Sequence, residues 1–457
     1  MMMNNTAPGV SPKEFIAPIP PIKEIPTSLL FVGYTEFALD DDGQSLINIP
    51  KKISCFEEFE QYFGKAKRSN FVATMPSQDS RSIAISEIEN NPFTLYYSIQ
   101  NFFKNNNSSI SILSLASFNE IKKPNIQDFE KALEIIDQYE DFSVLAFSEM
   151  QYLPNEEYAT FVAKTLEICK NKNRFFIIDL PYKEVQNISY YFEDFRELLG
   201  NISPDFLTSA AAYFPSLETK MSYSFSDENV AVRIANQEIG LQDLQTSDPQ
   251  LYSKILLGIK SKKVILPPSS CIANVYLKND AERGIWNAPS ILPLLEKALF
   301  YSMNDVEQAK INSHSTGKSI NSIRNIPGKG TLVWGARTLN GNNSKFRYIN
   351  VVRFVKMLKA SILKSLDHLP WEQLIANNGH LVLNVVNDFL HHYWQLGALQ
   401  GLEPSTAYYV NCKINDQNSD FNSIEKNINI DFGIAIFRPA EFINISIDKK
   451  IMLQSEN

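Results

Sequence analysis

The chain has 457 residues, of which 44% are hydrophobic and 21% are charged. This length can bury a large core and is compatible with two or three domains. Acidic residues number 51 and basic residues 43, which gives a formal net charge of -8 and excludes the global basic field of a nucleic-acid-binding protein. We expect a soluble globular protein whose charged partners contact a local patch.

The cysteines and the first residues bear on where the protein resides. Cys55, Cys169, Cys271 and Cys412 are far apart and show no C-x-x-C spacing, which argues against a zinc site and a disulfide framework. The start, MMMNNTAPGV, lacks the basic segment and apolar stretch of a signal peptide, and no run approaches ~18 apolar residues. We expect a cytoplasmic protein with reduced thiols that does not span a membrane.

The first 28 residues are rich in proline, which fixes φ and removes backbone donors. A disordered tail has a similar composition, but apolar side chains are more frequent here than a solvated tail requires. We predict an extended arm over residues 1–28. Its apolar residues include Val10, Phe15, Ile16 and Ile19.

Residues 29–324 predict an α/β domain. Buried-strand runs occur at 29–34, 109–116, 143–147 and 174–180, and the segments between them have helical periodicity. Strands that alternate with helices of this length form a mostly parallel sheet in a three-layer arrangement.

After a polar linker at 312–325, the pattern changes to a C-terminal domain over 325–457 with a short strand, two long helices and a set of strands. Its last stretch, DFGIAIFRPAEFINISI, shows the two-residue period of strands buried on one face, with a break at Arg438-Pro439. Such a tail needs a neighbouring strand for its backbone groups. The apolar positions are Ile430, Phe432, Ile434, Ile436, Phe442, Ile443, Ile445 and Ile447.

Two features carry weak signals for chemistry. HSTGKS ends like a P-loop, but Asn312 stands where the first glycine is required and no hydrophobic strand precedes it, so it predicts a mobile polar loop. Asp179 ends a buried strand at the edge where open α/β sheets place catalytic carboxylates. Because no nucleophile elbow, dinucleotide-binding turn or metal triad accompanies it, we interpret Asp179 as structural.

The histidines do not predict a metal site. His391 and His392 are adjacent, so they point about 100° apart on a helix, whereas a shared metal requires i,i+4 spacing and a third ligand. We predict no metal and no cofactor.

One helix concentrates positive charge in a chain that is acidic overall. Between residues 345 and 364 all charged side chains are basic, and Arg353, Lys356 and Lys364 gather on the face opposite the apolar one. A solvated helix face and a surface for an acidic partner explain this pattern equally well.

Several stretches carry a family resemblance: APGV, TSLLFVGYTE, ERGIWNAPS, GKGTLVWGARTL, RYINVVRF, FLHHYWQLGALQG, AYYVNC and RPAEFINISI. In this order they resemble the tail sheath proteins of contractile phage tails and related injection machines. The resemblance is strong over 282–447 and fair over the first 36 residues, whereas 54–270 agrees mainly in its α/β rhythm. One departure is APSI, where the family usually has APAN.

The resemblance implies a structural role and no active site. Sheath proteins stack into a helical cylinder around an inner tube, contract to drive the tube through a target envelope, and lend N- and C-terminal strands to neighbouring subunits. It implies an α/β domain with a variable outer region at about 54–270, followed by an α+β assembly domain. The apolar positions of the arm and tail would link subunits, with a hinge at Arg438-Pro439. The candidate tube contacts are Arg353, Lys356, Lys359 and Lys364.

The implied partners are further copies of the chain, an inner tube protein, baseplate and terminal cap proteins, and an AAA+ unfoldase. Assembly inside a bacterial cell would produce a phage-like tail, an extracellular particle or a type VI-like system, without nucleic-acid binding or membrane insertion. Two alternatives remain open. One is an α/β hydrolase or transferase with an accessory β domain, motivated by Asp179, and the other is a baseplate or fibre protein of a similar particle.

Overall fold

The computed structural model describes residues 20–76, 82–88, 90–183, 187–235, 237–298, 304–367, 379–416 and 425–452. The chain divides into two compact units. We call Pro26–Met357 the body unit, and Met1–Ile25 together with Leu358–Asn457 the terminal unit. The predicted linking residues Val10, Phe15, Ile16 and Ile19 lie outside the described residues.

The strands of the body unit form where apolar and β-branched residues are concentrated, as in LLFVGYT and ISILSLAS. They are β1 (Leu29–Thr35), β2 (Lys51–Ile53), β3 (Phe71–Met75), β4 (Ala84–Glu87), β5 (Ile110–Ser117), β6 (Val144–Phe147), β7 (Phe175–Asp179), β8 (Ala210–Phe214), β9 (Leu217–Ser222), β10 (Val230–Ile234), β11 (Gln237–Gly240), β12 (Lys263–Leu266), β13 (Pro293–Leu294), β14 (Lys297–Ala298), β15 (Ile320–Ile326) and β16 (Gly330–Trp334).

The largest sheet of the described residues has nine strands in the order β13-β16-β15-β8-β7-β6-β1-β5-β2. Its central strands, from β15 to β5, pair in parallel, and its outermost pairs are antiparallel. Two smaller sheets have the orders β11-β10-β3-β4 and β12-β9-β14. The predicted α/β class is confirmed.

Helices connect these strands, and many bury an apolar stripe. They are α1 (Phe56–Phe63), α2 (Leu95–Asn105), α3 (Ile126–Gln138), α4 (Asn155–Asn171), α5 (Ile188–Leu198), α6 (Pro204–Leu207), α7 (Leu241–Ser247), α8 (Pro249–Ser261), α9 (Ser269–Arg283), α10 (Asp305–Asn312) and α11 (Ile349–Leu366).

The core of the body unit consists mainly of two apolar clusters on the two faces of the nine-stranded sheet. Side chains of β1 alternate between them, because successive residues of a strand point to opposite faces. Leu30 and Val32 join the cluster that includes α3 and α4, whereas Leu29 and Phe31 join the cluster that includes α2 and α9. This two-sided burial explains why the central strands are continuously apolar in sequence.

The terminal unit contains the end of α11, a further long helix and an antiparallel sheet. Its other elements are α12 (His380–Gln395), α13 (Pro404–Ala407), β17 (Tyr408–Asp416), β18 (Glu425–Ile434) and β19 (Ile443–Met452). The strand order is β17-β18-β19, so β18 lies in the centre.

The two units divide the chain at a different position from the predicted domains. The predicted boundary at 324/325 falls inside β15, which pairs with β8 and β16 in the nine-stranded sheet. The observed division falls between Met357 and Leu358, within α11. The three predicted segments describe roles in assembly, and as roles they stay a prediction. No helix in the described ranges is long and apolar enough to cross a membrane.

Candidate functional site

The carboxyl-terminal edge of the parallel strands is the first place to test for chemistry, because open α/β sheets bind ligands there. Asp179, the last residue of β7, is only 1% exposed. Its Oδ1 accepts a hydrogen bond from the backbone N–H of Ser269 at the start of α9, at 2.9 Å. Burial raises the pKa of the Asp179 carboxyl to about 7. Asp179 therefore joins a strand end to a helix start, which supports its structural interpretation.

Glu149 lies at the same edge of the sheet, two residues after β6, and the sequence analysis did not identify it as a site residue. Its Oε1 accepts hydrogen bonds from the backbone N–H groups of Thr94 (2.9 Å) and Leu95 (2.7 Å) at the start of α2. Burial raises the pKa of the fully buried Glu149 carboxyl to about 8. A Cβ added to Gly33 of β1 would lie 2.1 Å from Glu149 Oε2, so the carboxylate requires a glycine there.

The other residues with weak chemical signals also serve local structure. The ammonium of Lys318, in HSTGKS, donates to the carbonyl of Arg196 at 2.7 Å. His391 Nδ1 lies 3.0 Å from the hydroxyl of Tyr408, which joins α12 to β17. Among the residues that the structure describes, no cluster of three His, Cys, Asp or Glu side chains is arranged to hold a metal ion.

The basic helix α11 differs from its sequence-based interpretation at Arg353. This side chain is 3% exposed and forms an ion pair with Asp280 of α9. Its Nη1 donates to Asp280 Oδ1 at 3.0 Å, its Nη2 donates to the hydroxyl of Thr27 at 3.0 Å, and its guanidinium lies 4.4 Å from the centre of the Tyr276 ring. Arg353 thus stabilises the interior of the body unit.

Lys356 is buried in the same way, with 8% of its surface exposed. Its ammonium donates to the carbonyls of Cys169 (2.8 Å) and Arg174 and to the hydroxyl of Ser209 (2.8 Å). The prediction that Arg353 and Lys356 lie on an outward-facing basic side of α11 is therefore wrong. Every residue of this helix from Val351 to Met357 is buried, so the helix has no solvent-exposed face there. Of the other candidate tube contacts, Lys359 is half-buried and Lys364 is exposed, and their contact with a tube stays a prediction.

We call the sheet β17-β18-β19 the tail sheet, and it shows which strand pairs with the last strand, β19. β19 pairs antiparallel with β18 of the same chain over its whole length, with Ile430 opposite Ile447 and Phe432 opposite Ile445. The alternating residues form one buried face, as the period predicts. Their exposed fractions are 0% for Ile430, Phe432 and Ile434, 2% for Ile443, 7% for Ile445 and 3% for Ile447.

The ends of this apolar series lie in the connection between the two strands. Ile436 and Phe442 are half-buried and flank the turn that contains Arg438 and Pro439. The turn therefore closes a hairpin whose two strands, β18 and β19, pair with each other within the chain.

The opposite face of the tail sheet is polar. Ser446 donates to Asp431 at 2.6 Å. The ring of Tyr409 covers Gly433 on the neighbouring strand, where an added Cβ would lie 2.1 Å from it. Of the described residues, no strand pairs with the outer edge of β17 or of β19. As far as the structure describes the chain, the sheet thus has one apolar face, one polar face and two unpaired edges.

The fold matches solved structures over nearly its whole length. A chain of the PVC sheath complex of an extracellular contractile injection system, in the contracted state, superposes with a TM-score of 0.59 at 19% identity, and the match covers 98% of each chain. A chain of the contracted helical sheath of the anti-feeding prophage (AFP) gives 0.59 at 21% identity, covering 97% of this chain and 99% of that one. The chain has the fold of a contractile-sheath subunit.

A chain from the six-fold symmetrised AFP baseplate also superposes on this chain, with a TM-score of 0.58 at 21% identity, and the match covers 98% of this chain and 99% of that one. No protein-family model and no curated protein matches the sequence. The resemblance read from the sequence motifs is confirmed at the level of the fold. The comparisons do not favour the hydrolase or transferase alternative.

Proposed function

We propose that the protein is the structural subunit of a contractile sheath. Copies polymerise into a helical cylinder around an inner tube, and contraction of the cylinder drives the tube through a target envelope. The observation that carries this proposal is the match over 98% of both chains to a subunit of a contracted sheath complex. The inward-facing Asp179 and Glu149 are consistent with a body that performs no catalysis.

We propose that the terminal unit links the copies, while the body is a three-layer unit with helices on both faces of its sheet. On assembly, β19 of one copy pairs with β18 of the next, and the arm around Val10, Phe15, Ile16 and Ile19 adds a strand to an open edge. Exchange of an identical strand preserves the β18–β19 ladder, so its free-energy cost is low. A head-to-tail contact of this kind propagates into an open helix.

The proposed partners follow from the same role. They are an inner tube protein, contacted by Lys359 and Lys364, together with baseplate and cap proteins and an AAA+ unfoldase that recycles the contracted sheath. The particle assembles in the bacterial cytoplasm, without nucleic acid or membrane insertion, and the subunit has neither cofactor nor active site.

Negative-stain electron microscopy of the purified full-length chain tests the function. We expect hollow, ridged cylinders whose number increases with protein concentration. A monodisperse monomer at high concentration would contradict the proposal, and single particles of fixed small size would favour a baseplate or fibre role.

A further inference from the structure

The terminal unit contains a groove that is lined by apolar and acidic side chains. It has a volume of about 410 Å³ and lies between the described end of the arm and α12. Val385 and Phe389 give it an apolar wall, and Asp388 and Glu24 give it acidic groups. Glu24 accepts a hydrogen bond from the Tyr393 hydroxyl at 2.5 Å, whereas Asp388 is solvent-exposed on the surface of α12. The groove therefore suits an apolar group that carries a positive charge.

A protrusion with this chemistry occurs on the same unit. We call Leu402, Phe437 and Arg438 the loop tip. Leu402 is 98% exposed and Phe437 is 40% exposed, so two large apolar side chains of adjacent loops are open to solvent. Arg438 is 77% exposed, and its ion pair with Glu441 is long, at 3.6 Å.

Backbone hydrogen bonds hold the two loops of the tip together. The N–H of Gln400 donates to the carbonyl of Ala435 at 2.7 Å, and the N–H of Ala440 donates to the carbonyl of Thr406 at 2.8 Å. The tip is therefore presented in a defined shape before any partner arrives, which reduces the entropy lost on docking.

We propose that the loop tip of one copy docks into the groove of a second copy, with Phe437 and Leu402 against Val385 and Phe389 and with Arg438 beside Asp388. The inference rests on the proposed polymer and names one of its contacts. Groove and tip are different patches of one chain, so each docked copy presents a further groove and a further tip, and the contact propagates without closing. Opposite charges at the two patches fix the orientation of the incoming copy.

Charge reversal tests the docking in the full-length protein. Asp388→Arg and Arg438→Glu each place like charges at the contact, and we expect each to raise the critical concentration for polymerisation by about tenfold or more. The double variant, and an equimolar mixture of the two single variants, restore opposite charges at every contact and are expected to polymerise at close to the wild-type concentration. Sedimentation measures the critical concentration of each variant and of the mixture, and electron microscopy shows whether cylinders form.

The matched control is Glu134→Arg, which reverses an exposed acidic residue on helix α3 of the body unit and is expected to leave the critical concentration unchanged. Thermal unfolding of each variant, with a transition near that of wild type, shows that the subunit still folds. Single variants that polymerise like wild type, or a double variant and mixture that fail, would overturn the docking.

Other occupants of the groove give distinct results. If residues 1–19 or an inner tube fill it, Asp388→Arg has an effect that Arg438→Glu does not share, and docking of the tip is overturned. Failure of the proposed function is separate: a wild-type chain that never polymerises overturns both ideas, whereas wild-type cylinders with unaffected charge variants overturn the docking alone.

Discussion

The two sheets at the centres of the two units end in opposite ways. The nine-stranded sheet of the body unit is bounded by β13, which has two residues and begins with Pro293, and by β2, which has three residues. The tail sheet is bounded by β17 with nine residues and β19 with ten. Short edges and proline prevent further strand addition, whereas long open edges permit it.

Under the proposed function, this difference separates two tasks within one chain. The body unit also closes the carboxyl-terminal edge of its sheet, where Asp179 and Glu149 bind helix N-termini. Among the described strands, both long edges of the sheet in the terminal unit are unpaired, and this unit exposes the loop tip. Changes in the terminal unit should therefore affect assembly first, and changes in the body unit should affect folding first.

Removal of the tail should have the largest effect on assembly. Truncation after Asn429 deletes β19 and the apolar half of β18, so we expect complete loss of cylinders in electron micrographs. The body unit should persist as a protease-resistant fragment with its own cooperative unfolding transition, because its sheet contains no strand from the tail. Cylinders formed by the truncated chain would contradict the division of tasks.

A buried ion pair tests the body unit. Arg353→Ala leaves the half-buried carboxylate of Asp280 without its ion-pair partner but with the hydrogen bond from Thr27, so we expect a loss of roughly 1.5–3 kcal/mol in the free energy of unfolding, measured with urea. Lys364→Ala, at an exposed position of the same helix, should change it by less than about 0.5 kcal/mol. Equal effects at the two positions would show that Arg353 is not held as described.

A core substitution in the tail sheet should act locally. Phe432→Ala removes a fully buried ring from β18, and we expect a loss of roughly 3–5 kcal/mol in the stability of the terminal unit. Hydrogen exchange should show faster opening of β17, β18 and β19, with little change in β1 and β5 of the body unit. Uniformly faster exchange in both units would contradict their separate roles.

The inward-facing carboxylates predict a pH dependence of the body unit. The pKa of the Glu149 carboxyl is raised from 4.5 to about 8 in the folded chain, because burial favours its neutral form. Between these two values the folded state therefore binds more protons than the unfolded state. The contribution of Glu149 protonation to the free energy of unfolding is fully present below pH 4.5 and is lost as the pH rises through about 8. Glu149→Gln should flatten this slope in urea titrations, and the exposed control Glu134→Gln should leave it unchanged.

The smallest effect concerns the polar face of the tail sheet. Tyr409→Ala uncovers Gly433 on the neighbouring strand and removes a cross-strand contact, for which we expect a loss of about 0.5–1 kcal/mol. Asn411→Ala, two residues further along the same face of β17, serves as the control. A thermal shift in Tyr409→Ala no larger than in Asn411→Ala would mean that the ring contributes nothing to the sheet.

The sequence predicted some of these features and missed others for physical reasons. Strand periodicity identified the buried face of Ile430, Phe432 and Ile445 correctly, because a two-residue period needs only one covered side. Helical periodicity failed at Arg353 because it separates two faces of a helix without indicating what covers the second one.

The remaining site residues depend on contacts between distant segments. Glu149 follows a strand and looks like an ordinary loop residue, and the helix start that it binds lies more than fifty positions earlier. A usable signal was Gly33 inside the apolar run LLFVGYT, since a glycine within a strand often marks a close approach by another group. The sequence did not predict that β19 pairs with β18, because periodicity shows which side of a strand is buried but not which strand lies beside it.

The central claim, that copies are linked by exchange of β19, can be measured by disulfide trapping. Asp431 and Ser446 face each other across β18 and β19 on the exposed side of the sheet. Asp431→Cys and Ser446→Cys, placed in separate, differently tagged copies with Cys412→Ser, should form a disulfide between copies once the mixture has polymerised, and none before. If instead the disulfide forms only within a single chain that carries both cysteines, in the polymer as in the monomer, β19 pairs with β18 of its own chain, and the account is contradicted.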